Sequence, residues 1–82
     1  MHETLKAAMQ DKEYCYKQIR EARKLFTNNT TTEKEYDMMQ EGLATLYVYC
    51  CDEVRNQILF TLNESSERKL MMFKLWKARN EN

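Results

Sequence analysis

The stretch 43–62, LATLYVYCCDEVRNQILFTL, is the most apolar in the chain, and its reading decides the fold. Apolar side chains recur at Leu43, Leu46, Tyr47, Cys50, Val54, Ile58 and Leu62, a three-and-four spacing that puts them on one face of a helix. Tyr and Val favour sheets, which makes TLYVYCC a candidate strand. The helical pattern nevertheless runs on through Asp52 to Gln57, where a hairpin would need a turn and no turn residues are written. Asp52, Glu53, Arg55, Asn56 and Gln57 also break the apolar run, whereas a membrane span needs about 18 residues with few or no charges. The stretch therefore reads as the central helix of a small bundle.

The rest of the chain supports an all-α fold. There is no Pro and a single Gly, Gly42, so the residues that turns in sheets and loop-rich folds call for are missing. Eighty-two residues make one domain, and a core of that size rarely supplies more than about 3–5 kcal/mol. The expected architecture is a long antiparallel helical hairpin with a shorter third helix: helix one over about 3–26, helix two over about 33–62 and helix three over about 66–79.

Helix one carries Leu5, Ala8, Lys12, Cys15, Ile19, Ala22 and Phe26 at coiled-coil spacing, with Lys12 interrupting the stripe. TNNTTT at 27–32 is a loop of residues that prefer caps to helix interiors. Thr32-Glu33-Lys34-Glu35 then fits a capping box opening helix two. Gly42 inside that helix marks either a close helix contact, the favoured reading, or a weak point where the helix can bend. The short connection makes helices one and two antiparallel, with residue i facing about residue 59 − i, and brings Lys17, Arg20 and Lys24 near Glu35 and Glu41. Asn63-Glu64-Ser65-Ser66 reads as a stop followed by a new cap, with a bent continuation of the helix as the alternative. A third helix folding back from there brings Leu70 near Ile58 and Trp76 near Asp52 to Val54, and leaves the far end of the hairpin without a third wall.

Thirteen basic residues balance thirteen acidic ones. Residues 1–26 hold six basic and four acidic side chains, 27–63 two and six, and 64–82 five and three. An acidic middle flanked by basic ends pairs internally, which makes nucleic acid an improbable partner. The start of the chain shows neither an apolar nor an Arg-rich leader, so the expected compartment is the cytoplasm. Cys50 and Cys51 are adjacent and Cys15 is remote, with no C-x-x-C and no histidine at ligand spacing, so neither a metal nor a disulfide is expected. Cys15 and Cys50 read as core residues, and Cys51 as a thiol available for reaction or contact. His2, the only histidine, belongs to no catalytic arrangement, and no phosphate loop is written. No enzyme and no cofactor are expected.

What remains is surface. Met38, Val48, Tyr49, Cys51, Leu59 and Phe60 fall off the main seam of helix two, more than one short helix can cover. Helix three sets Leu70, Phe73 and Trp76 among Arg68, Lys69, Lys74, Lys77 and Arg79, a basic amphipathic pattern. The expected partner-binding residues are Tyr47, Val48, Tyr49, Leu59, Phe60, Phe73, Trp76, Lys74 and Lys77. They point to a non-enzymatic protein–protein interaction module, a regulator, inhibitor or chaperone binding another protein or itself. The alternatives are a peripheral membrane regulator using helix three and a weak nucleic-acid binder using Lys17, Arg20, Lys24 and the basic tail. In length, helical hairpin form and absence of catalytic residues the chain resembles compact accessory proteins of large bacteriophages, including cytoplasmic lysis-inhibition (antiholin) factors. In the same features it resembles the small helical co-chaperones of type III secretion needle subunits. Either resemblance implies action through helix faces and assigns no site residue.

Overall fold

The computed structural model describes residues 4–80, and within them the chain is all-α: α1 (Leu5–Met9), α2 (Lys12–Thr27), α3 (Glu33–Tyr49) and α4 (Asp52–Asn80). The expected helix start at residue 3, His2 and the last two residues lie outside the described part.

The expected first helix is divided at Asp11. Its backbone is extended and its carboxylate accepts from the Glu13 N–H at 2.8 Å, which makes it the N-cap of α2. The Cys15 thiol donates to the Met9 carbonyl at 3.2 Å, one of the acceptors left open where α1 ends. Lys12 therefore opens α2 and does not interrupt a seam. It is exposed and pairs with Glu53 at 2.8 Å.

At the next connection the Asn28 carboxamide oxygen accepts from the Thr30 N–H and hydroxyl at 2.9 and 2.7 Å. Thr32 caps α3 with both halves of the capping box present.

The stretch 43–62 departs most from expectation. It is two helices, broken at Cys50 and Cys51. Cys50 is extended, and its N–H still bonds the Leu46 carbonyl. Arg55 supplies what a Gly or Pro turn would otherwise provide. Its guanidinium donates to the Cys50 carbonyl at 3.0 Å, the Tyr47 carbonyl at 3.3 Å and the Asp52 carboxylate at 2.9 Å. Two carbonyls at the C-terminal end of α3 are thereby satisfied, and Asp52 and Glu53 are set in the first turn of α4, where the helix dipole favours negative charge. The chain folds back here and not at 63–66.

α4 runs through Asn63-Glu64-Ser65-Ser66 without a stop. Ser65 is buried, and its hydroxyl donates to the Leu62 carbonyl at 2.8 Å, a bond inside the helix in place of a cap. The same hydroxyl accepts from the Gln40 amide at 2.9 Å, and the Tyr36 hydroxyl donates to the Ser65 carbonyl at 2.8 Å. Buried Thr61 likewise donates to the Gln57 carbonyl at 2.8 Å.

Because α4 begins at 52, it walls the bundle along its length. Lys12–Glu53, Arg23–Glu64 and Thr27–Arg68 each join residues 41 apart, so α2 and α4 run parallel in constant register. α3 is antiparallel to both. The side-chain amide of Gln10, between α1 and α2, donates to the Tyr49 carbonyl at the end of α3, and Lys69 pairs with Asp37 at 2.6 Å across α4 and α3. Among the described residues Lys17, Arg20 and Lys24, expected within reach of Glu35 and Glu41, form no ion pair with them, and the ion pairs of α2 run from Lys12 and Arg23 to α4. Phe26, Tyr36 and Trp76 close the end where the 28–32 loop lies, with ring centroids 4.6 Å apart for the first two and 5.3 Å for the second two. Trp76 is thus at the opposite end of the molecule from Val54, and Leu70 shares a helix with Ile58. The core joins Cys15, Ile19, Ala22 and Phe26 of α2 to Tyr36, Leu43 and Leu46 of α3 and Val54, Ile58, Met72 and Trp76 of α4.

Candidate interaction surfaces

The inward stripe of α4 is Val54, Ile58, Thr61, Ser65, Met72 and Trp76. At 3.6 residues per turn, Leu59, Phe60, Leu70, Met71 and Phe73 fall outside that stripe. No described element covers them. Leu70 is 78% exposed, Met71 76% and Phe73 55%. These residues make up one of two sets of exposed apolar side chains.

The other belongs to α3, where Met38, Val48 and Tyr49 are exposed, with Leu5 of α1. The Lys6 ammonium lies 5.7 Å from the centre of the Tyr49 ring. Leu5, Met9, Tyr14, Met39, Gly42 and Leu46 border an open groove of about 230 Å³. A Cβ built on Gly42 would meet nothing within 4 Å, so the glycine opens onto space and marks no close helix contact.

A wider groove of about 620 Å³ runs between α2 and α4, lined by Arg23, Phe26, Phe60, Glu64, Arg68 and Met71 among others. Three of its charged side chains, Arg23, Glu64 and Arg68, make contacts within the fold. Arg23 lies 3.8 Å from Glu64, and Arg68 donates to the Thr27 carbonyl at 3.2 Å and the Asn29 side chain at 3.4 Å. The Arg68 Nε is shielded from water and has no acceptor among the described residues.

The residues singled out by the sequence separate into three groups. Val48 and Tyr49 lie on the α3 surface, and Leu59, Phe60, Phe73, Lys74 and Lys77 are exposed on α4. Tyr47 is half-buried against the core, with the Arg55 guanidinium 5.7 Å from its ring centre. Trp76 is a correction: it is 3% exposed and its indole N–H donates to the Thr31 carbonyl at 2.7 Å, so it holds the fold and is closed to a partner. Leu70 and Leu5, expected in the core, belong to the surface instead. The signal for Leu70 was present in the sequence, since a stripe from Val54 continued through small Thr61 and Ser65 to Met72 and Trp76 leaves Leu70 outside.

Three thiols are free. Cys15 and Cys50 are buried and Cys51 is half-buried. Burial, with the neighbouring Cys50, Cys51 and Asp11, pushes the Cys15 thiol up to about 11. Among the described residues no three His, Cys, Asp or Glu side chains cluster to hold a metal ion, and no helix is long and apolar enough to cross a membrane. Comparison with protein-family models, curated proteins and solved structures finds no match to this chain.

Proposed function

We propose that the chain is a non-enzymatic protein–protein interaction module, a regulator, inhibitor or chaperone that works by offering helix faces to another protein. One observation carries this reading. Ten large apolar side chains of the described residues, on α1, α3 and α4, are exposed around the core: Leu5, Met38, Val48, Tyr49, Leu59, Phe60, Leu70, Met71, Phe73 and Leu75. Scattered exposed apolar residues are ordinary, whereas adjacent ones on a fixed helix face form a surface that binding can bury. The test is a stoichiometric complex recovered with the native chain and lost with Val48→Asp or Tyr49→Asp at unchanged helicity. A chain that forms no defined complex, with itself or with another protein, and is indifferent to both changes would overturn it.

A second reading, a peripheral membrane regulator, is favoured by Leu70 and Phe73 standing exposed beside Lys74 and Lys77. Buried Trp76 does not report on lipid contact, so the probe is Phe73→Trp. Its emission should shift to the blue on vesicles of acidic lipid and stay unshifted when Lys74 and Lys77 are both changed to Glu. No shift on the vesicles would remove this reading.

A further inference from the structure

The outer face of α4 is written as a palindrome of charge around an apolar centre. Glu67 precedes Leu70 by three residues and Lys74 follows Met71 by three, while Glu64 precedes Leu70 by six and Lys77 follows Met71 by six. All six are exposed, and at 100° per residue they form one stripe on the side of α4 away from Ser65, Met72 and Trp76. Glu67, Lys74 and Lys77 have no ion pair with another described residue, and Glu64 has only the long contact to Arg23.

We infer that this stripe is the docking site for a second copy of the chain, with the two α4 helices antiparallel about a two-fold axis. The inference rests on the reading of the exposed faces as docking surfaces. In a two-fold contact residue i meets j while j meets i. An axis between Leu70 and Met71 sets Leu70 of one copy on Met71 of the other, Glu67 on Lys74, and Glu64 on Lys77, each contact made twice. Phe73 flanks the apolar centre.

Charge order selects this occupant over others. A membrane surface bearing anionic headgroups would meet Glu64 and Glu67 on the same stripe as the lysines. A uniformly acidic or basic protein would be repelled by half of it. An antiparallel copy presents the opposite charge at every position.

The experiment is sedimentation velocity on the native chain, on Glu64→Lys with Glu67→Lys, on Lys74→Glu with Lys77→Glu, and on an equimolar mixture of the two variants, with circular dichroism confirming each fold. The native chain should dimerise, each variant should self-associate at least about tenfold more weakly, and the mixture should regain the dimer. Leu70→Gln, which changes no charge, should also weaken it. A mixture that stays monomeric, or a charge variant that dimerises as the native chain does, overturns the proposal. So does a native chain that is monomeric and floats with acidic vesicles, tighter when Glu64 and Glu67 are Lys. A dimer broken by Tyr49→Asp but by neither charge variant overturns the α4 contact while leaving the interaction reading in place.

Discussion

The three thiols gather where α2 approaches the turn between α3 and α4, and water reaches them unequally. Cys15 and Cys50 are enclosed, and burial holds the Cys15 thiol protonated up to about 11. Cys51 is half-buried. Because the thiolate is the reacting form and needs access, a disulfide-exchange reagent at pH 8 should label Cys51 in the folded chain and the other two only as it unfolds. Mass mapping that finds all three labelled at one rate would refute this. The raised value also fixes a sign for stability. Above the unfolded thiol's pKa, about 8.5, the unfolded chain releases a proton that native Cys15 keeps, so stability should fall as pH rises from there towards about 11. Cys15→Ala should flatten that alkaline slope in a thermal-melt series, although it also costs stability by leaving a cavity. Gly42 is the other residue whose environment makes a definite claim. Inside α3, with open space where its Cβ would be, Gly42→Ala should stabilise the chain by about 0.8–1 kcal/mol, measured by urea denaturation. A destabilised variant would mean that the helix packs more closely here than the structure shows.

Helix ends decide how far the fold was legible in the sequence. The capping box at Thr32 and Glu35 could be read because its residues have little other reason to stand at that spacing, and the structure contains it. Thr32→Ala should cost about 0.5–2 kcal/mol. The Thr32 backbone N–H and then its hydroxyl, both donating to the Glu35 carboxylate, hold that carboxyl below its ordinary range. Between that native value and about 4.3, the unfolded value, the unfolded chain binds the more protons, so stability falls as pH drops through the window. Glu35→Gln keeps the capping hydrogen bonds and removes the titration, so its thermal midpoint should fall less steeply with acid than that of the native chain. Equal slopes would show that the carboxylate is not held as described. The turn at Cys50 and Cys51 was hidden for a different reason. It uses no Gly or Pro, its apolar residues continue the helical spacing, and the group that closes it, Arg55, lies five residues beyond Cys50. The false stop at 63–66 has the converse cause. Ser65 and Thr61 resemble cap and turn residues, yet their hydroxyls bond to carbonyls of their own helix and face the core. Tertiary contact with Tyr36 and Gln40 supplied the deciding term, and neither residue is near in sequence. Of the candidate surface, Val48, Tyr49, Leu59 and Phe60 followed from the number of apolar residues that one short helix could cover, and Phe73 from the basic amphipathic pattern of helix three, while Trp76 was misplaced with the turn.

At the scale of the whole molecule, α4 holds both ends of the bundle. Arg55 closes the turn at 50–51, and Trp76, Arg68 and Arg79 reach the 28–32 loop at the other end. The Trp76 indole donates to the Thr31 carbonyl, and Arg79 donates to the carbonyls of Thr31 and Asn29. Thr31, itself buried, donates its hydroxyl to the Leu25 carbonyl at 2.8 Å, so the loop is fixed from both sides. Removing the indole should therefore act on the entire fold. A buried Trp→Ala change costs about 3–5 kcal/mol, which is as much as a core of this size is expected to supply. Trp76→Ala should accordingly lose the cooperative urea transition followed by circular dichroism. Trp76→Phe keeps the ring against Tyr36 and loses the hydrogen bond, leaving the Thr31 carbonyl with the Arg79 contact at 3.4 Å, and should keep a transition at a lower midpoint. Both should be measured at two protein concentrations, because an associating chain gains stability by mass action. If α4 pairs with a second copy, the native midpoint rises with concentration and that of the Glu64→Lys, Glu67→Lys variant stays fixed. A Trp76→Ala chain that unfolds cooperatively at the native midpoint would show that the bundle does not depend on α4 to close the 28–32 end.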